Sequence, residues 1–154
     1  MIKMRRIVIL AAMALLTAAC GGDSGQRQAE KLLAQASSAY EQGAYDAALA
    51  AIDSLRKVYP NAIDTRKKAL RLQQDIALKQ AQQQLAETDS LLQLVQHDLD
   101  YQQTKVDRDK AALRATADEL TMLTRTRMRR DSLRTQCETL GAKIRYIRKK
   151  KDAL

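Results

Sequence analysis

A leucine or valine recurs every seven residues through the middle of this 154-residue chain without interruption. Seven residues make about two helical turns, so side chains at this spacing fall on one stripe of an α-helix. The members of the series are Leu78, Leu85, Leu92, Leu99, Val106, Leu113 and Leu120. The pattern predicts a long helix with an apolar seam, and therefore an all-α fold.

The companion position, three residues after each member of that series, is mostly polar and includes Thr88, Gln102 and Asp109. A seam that is apolar at only one of its two positions does not suit a self-sufficient two-stranded coiled coil. We therefore expect this helix to need further packing.

A second apolar series is out of phase with the first, because Leu120 and Leu133 are 13 residues apart. Its seam members are Leu133, Cys137, Leu140, Ile144 and Ile147. The stretch TADE at 116–119 has the spacing of a capping box. These features predict helices at about 62–112 and 117–151, folded into an antiparallel hairpin. One continuous helix is the alternative, because neither Gly nor Pro marks the break.

Residues 26–60 contain two shorter helical patterns on either side of the sequence EQGAYD. Their spacing resembles a tetratricopeptide repeat at the positions of Gly43, Tyr45, Ala48, Ile52 and Pro60. The first helix fits that repeat at Leu32, Ala36 and Ala39, whereas Leu55 stands where a small residue is usual. The resemblance implies a close-packed helix pair that needs the next helix, a partner, or both, to cover its faces.

The first 19 residues have the layout of a secretory signal peptide. Lys3, Arg5 and Arg6 precede an apolar run, residues 7–19, which ends in small side chains. At 13 residues, the run is shorter than the roughly 20 that a membrane-spanning helix needs. We expect residues 1–19 to be removed as a signal peptide.

The junction Thr17-Ala18-Ala19-Cys20 resembles the lipobox of bacterial lipoproteins, although the usual leucine lies one residue early, at Leu16. The resemblance implies that Cys20 is acylated and anchors the chain to a membrane, with residues 20–25 as a flexible tether. In enterobacterial lipoproteins a Gly after the anchor implies the outer membrane; the periplasmic and surface faces both stay open. The alternative is a secreted protein with a free thiol.

Positive charge is concentrated in the last third of the chain. Residues 101–154 hold 15 basic and 7 acidic side chains, whereas residues 20–100 hold 9 and 11. The basic runs RTRMRR (125–130) and KIRYIRKKK (143–151) suit an anionic lipid or an acidic envelope polymer, or are simply a solvated helix end. Nucleic acid is not expected, because Tyr146 is the only aromatic residue in either run and the chain is exported.

No set of residues has the spacing of a catalytic or metal-binding site. His97 is the only histidine and stands between seam residues, where an exposed position is expected. No enzymatic activity, cofactor or metal is therefore predicted. Once Cys20 is acylated, Cys137 has no partner within the chain; it is either a small seam residue or a link between chains.

The order of lipobox, single repeat, heptad region and basic end resembles small bacterial envelope lipoproteins of no established function. The resemblance transfers no activity. It favours a non-catalytic, membrane-anchored protein that binds another envelope protein or acts as a scaffold. The alternative is a periplasmic holdase, since basic helical arms are similar to those of trimeric chaperones of that class.

The anchor hypothesis predicts the outcome of replacing Cys20. The Cys20→Ser variant should accumulate as an unacylated, uncleaved precursor, because serine lacks the thiol that receives the lipid. Metabolic labelling with a fatty-acid probe measures this directly. Label retained by the variant would contradict the hypothesis.

Overall fold

The computed structural model describes residues 22–153, which form four α-helices and no strand. They are α1 (Gly22–Glu41), α2 (Tyr45–Val58), α3 (Ile63–Ala111) and α4 (Ala117–Asp152). The all-α prediction is confirmed for these residues, while the signal peptide and Cys20 lie outside them. The chain divides into two compact units, unit 1 up to Ile76 and unit 2 from Ala77, so the division falls within α3.

The core of unit 1 is built mainly from alanine. Its buried members are Ala29 and Ala36 on α1, Ala48, Ile52 and Leu55 on α2, and Ala62, Ala69 and Ile76 at or near the start of α3. Small side chains let helix backbones approach closely, and the core residues of each helix recur one or two turns apart, so they share a face. The first turns of α3 complete the core, so this helix covers the α1–α2 pair.

The beginning of α1 also packs within unit 1. Gln26 donates a hydrogen bond of 2.9 Å to the hydroxyl of Thr65, which is buried. The Tyr59 hydroxyl donates to the side chain of Gln28. α1 begins at Gly22, so residues 22–25 of the segment assigned to the tether are helical.

Two turns end their helices in the same way. After α1, Gly43 adopts φ 75°, its N–H bonds to the carbonyl of Tyr40, and that of Ala44 to the carbonyl of Ala39. After α3, Leu113 adopts φ 57°, with matching bonds from Leu113 to Lys110 and from Arg114 to Asp109. Both are Schellman motifs, in which a left-handed residue closes the helix. Glycine fills that position in the first turn and leucine in the second.

Unit 2 is an antiparallel helical hairpin, and the single-helix alternative is wrong. The C-terminal part of α3 turns back at residues 112–116, and α4 begins with the predicted capping box, in which Thr116 and Glu119 bond each other's backbone N–H. Leu99, Val106 and Leu123 form a buried cluster between the helices. Further along, Ala81 and Val95 on α3 and Ile144 and Ile147 on α4 are buried.

Two predicted seam residues lie outside the seam. Leu113 is 95% exposed because it is the left-handed residue of the turn, and Leu120 is 38% exposed in the first turns of α4. Leu123 takes the seam position in their place and packs against Leu99 and Val106 of α3.

A buried charge tests the close packing of unit 1. Ala48→Glu should lower the free energy of unfolding by roughly 3 kcal/mol, because the carboxylate has no partner in an apolar core. Its neighbour Ala47 is exposed, so Ala47→Glu should change stability by less than about 0.5 kcal/mol. Urea unfolding followed by circular dichroism measures both. Equal effects would place Ala48 on the surface.

The two turns predict opposite effects of substitution. Leu113→Gly should stabilise the chain by about 1 kcal/mol, because the left-handed conformation disfavours a Cβ and the side chain packs against little. Gly43→Ala should destabilise it by a similar amount through the backbone alone, since an added Cβ meets no atom within 4 Å. Chemical unfolding of both variants checks the pair, and a destabilised Leu113→Gly protein would contradict the turn assignment.

Candidate interaction surfaces

Charged side chains form a network at the turn end of the hairpin. Lys105 forms ion pairs with Asp109, at 3.2 Å, and with Glu119 of the facing helix. The hydrogen bond from Lys105 and those from Thr116 lower the pKa of Glu119 to about 2. The same contacts with Glu119 and Asp109 raise the pKa of Lys105. The network therefore links the two helices through groups that stay charged at neutral pH.

Polar side chains also occupy the seam beyond this network. Arg130 takes a seam position, where its side chain is 23% exposed. Its Nε lies 2.7 Å from a carboxylate oxygen of Asp131, and this ion pair does not have the geometry of a hydrogen bond. Its Nη1 donates to Gln96 of α3 at 3.3 Å. Thr126 is buried one helical turn before it. The sequence pattern missed both residues because neither is apolar.

The other predicted seam residues line the hairpin to different extents. Leu99, Val106, Ile144 and Ile147 are buried. The remaining members are half-buried, namely Leu78, Leu85, Leu92, Leu133, Cys137 and Leu140. The seam is therefore narrow and leaves much of each helix exposed.

The residues predicted from the repeat pattern lie together in unit 1. Ala36, Ala48, Ile52 and Leu55 are fully buried. Leu32, Ala39 and Tyr45 are half-buried against that core, and the Tyr45 ring lies 6.0 Å from that of Tyr40. Gly43 and Pro60 are exposed in the turns.

Nothing among residues 22–153 brings catalytic groups together. His97 is exposed on α3, and no three His, Cys, Asp or Glu side chains in this range converge as a metal site would require. Within the same range, no helix is both long and apolar enough to cross a membrane.

An open groove lies on unit 1 between the end of α2 and the start of α3. It has a volume of about 230 Å³ and is lined by Arg56, Ile63, Arg66, Lys67 and Leu70. Ile63 is 62% exposed in its lining, and Arg66 donates a hydrogen bond of 2.7 Å to the carbonyl of Pro60. The groove combines an accessible apolar side chain with three cations.

A second open groove, of about 400 Å³, lies between the helices of unit 2. Its lining is neutral and includes Gln84 and Thr88 of α3 and Gln136, Thr139 and Leu140 of α4. The two basic runs flank it along α4. Most of their charged residues are exposed, and Lys150 lies 5.7 Å from the centre of the Tyr146 ring.

Comparison with known proteins found no similar protein. No protein-family model matches the chain, and neither curated proteins nor solved structures provide a match.

The lowered pKa of Glu119 predicts a pH dependence. Its charged form stabilises the folded chain, so this contribution is complete above the usual carboxyl pKa of about 4.3 and is lost as pH falls towards 2. Glu119→Gln keeps a capping side chain but removes the charge, so it should lower stability at pH 7 and flatten the loss between pH 4.5 and 2.

The matched control is Glu138→Gln, at an exposed position on the same helix. Urea unfolding of both variants at pH 7, 4.5 and 2.5 makes the comparison. The ion pair has no energetic role if Glu119→Gln and Glu138→Gln give the same pH profile.

Proposed function

We propose that this chain is a non-catalytic lipoprotein, anchored through acylated Cys20 to the outer membrane, that binds another protein of the cell envelope or acts as a scaffold for it. The anchor rests on the Ala18-Ala19-Cys20 junction and the preceding charged and apolar segments. The binding role rests on unit 1.

The packing of unit 1 supports a tetratricopeptide-like repeat. Gly43 has the left-handed conformation that the turn of such a repeat requires, and Ala36 and Ala48 are both fully buried where its helices approach closely. Leu55 departs from the pattern and fills the core with a large side chain. α3 covers the helix pair in the place where a second repeat would follow.

The observation that carries the binding role is the groove at Ile63. Ile63 is 62% exposed and lines the groove with Leu70, so the groove offers apolar surface whose burial by a partner would be favourable. Arg56, Arg66 and Lys67 surround it with positive charge. A partner that fits would present an apolar side chain next to carboxylates, because opposite charges at a rim steer association and set its register.

The proposal predicts a site-specific contact in the envelope. A photo-crosslinking amino acid in place of Ile63 should form a covalent adduct with a distinct envelope protein when cells are irradiated. Mass spectrometry of the adduct identifies the partner. We expect Arg66→Glu and Lys67→Glu together to reduce the yield at least 10-fold, because the rim then repels the same partner.

The matched control places the crosslinker at Ser54, an exposed position of α2 that is not among the groove residues. This position should give no specific adduct. Identical adducts at Ile63 and Ser54, or none at Ile63, would refute a binding role for the groove.

A further inference from the structure

The exposed apolar side chains of unit 2 are concentrated on one side of the hairpin. In heptad terms, the seam occupies positions a and d, and positions g and c adjoin it on one side and e and b on the other. In an antiparallel pair, the g positions of both helices share a side, as do the e positions. The contact between Gln103 and Arg127, both at e, is consistent with this arrangement.

We call the g and c side the open side, because the neutral groove of unit 2 is lined there by Gln84, Gln136 and Thr139. On α3 it carries Leu91, Leu94 and Tyr101, and on α4 it carries Met122 and Tyr146. All five are exposed; Leu94 and Tyr101, for example, are 69% and 67% exposed. These residues extend along about 36 Å of the hairpin at 1.5 Å per residue.

Basic residues share the open side with these apolar groups. On α4 they are Arg125, Arg129, Lys143 and Lys150, and from Met122 to Lys150 no carboxylate occupies a g or c position of this helix. The opposite side mixes arginines with Asp131 and Glu138. On α3, the open side carries the carboxylates of Glu87 and Asp98, and Asp98 accepts a hydrogen bond from Gln102.

We propose that the open side of unit 2 docks onto an anionic phospholipid surface. Lys and Arg interact with acidic head groups, while leucine, methionine and tyrosine side chains enter the interfacial region. Tyrosine suits this region because it joins an apolar ring to a polar tip. The inference rests on the proposed function in one respect, since the anchor at Cys20 holds the chain at a lipid surface.

A second copy of the chain fits this side less well, because two identical surfaces would bring the same four cations together. A partner helix also fits less well. The groove between Leu91 and Tyr146 is lined by the side-chain amides of Gln84 and Gln136, which the apolar face of a packed helix would bury without hydrogen-bond partners. Hydrated head groups can form hydrogen bonds with these amides.

The experiment uses the full acylated chain with Cys137→Ser, reconstituted in vesicles. An environment-sensitive fluorophore is attached at Leu94→Cys on the open side or at Gln93→Cys on the opposite side, both exposed positions. Vesicles are phosphatidylcholine alone or with 30% phosphatidylglycerol. We expect a blue shift at residue 94 and none at residue 93, only with phosphatidylglycerol. Arg125→Gln with Arg129→Gln should weaken this docking roughly 30-fold, with unchanged helicity.

The outcomes separate the docking from the anchor. If the chains float with both vesicle types but the fluorophore shows no blue shift, or equal shifts at residues 93 and 94, the docking proposal is refuted. The anchor then stands. Chains that do not float with phosphatidylcholine overturn the anchor; the shift with phosphatidylglycerol vesicles then still decides the docking. An equal shift at residue 94 with dextran sulfate and no vesicles would assign the open side to anionic polymers and refute the lipid proposal.

Discussion

The fold depends on covering the apolar residues of α3, a helix of 49 residues that cannot bury them alone. In unit 1, α1 and α2 cover Ala69 and Ile76, together with Ala62 just before the helix. In unit 2, α4 covers Leu99 and Val106. The two sets are separate, because Ile76 is out of step with the heptad series that begins at Leu78. The apolar residues of α3 therefore place the other helices of the described chain.

The narrow seam of unit 2 has consequences for the rest of its surface. Polar groups enter the seam of unit 2, where Gln102 leaves its Oε1 without a hydrogen-bond partner and Arg130 depends on Gln96 and Asp131. Burial is correspondingly limited, and apolar side chains such as Leu94 and Tyr101 stay outside. Both proposed surfaces depend on this limited burial of apolar side chains, because the side chains that stay exposed are available to a partner or a lipid.

The two turns show how far local sequence can predict such a fold. Gly43 was recognisable, because glycine adopts the left-handed conformation without a steric penalty and stands between two helical patterns. Leu113 was not, because a leucine in a heptad series predicts a seam residue. It takes the left-handed conformation because the capping box at Thr116 and the packing of α4 on α3 favour the turn over a continued helix.

By itself, the sequence determined the helical class, the approximate helix ends, the capping box and the small residues of the unit 1 core. These depend on local propensity and on spacings within single helices, which are readable along the chain. Only the tertiary structure decided that α4 pairs with α3, that Leu123, Thr126 and Arg130 face the seam while Leu120 does not, and which exposed residues share the open side. Those features depend on the phase of one helix against another, which is set by packing between residues far apart in the chain.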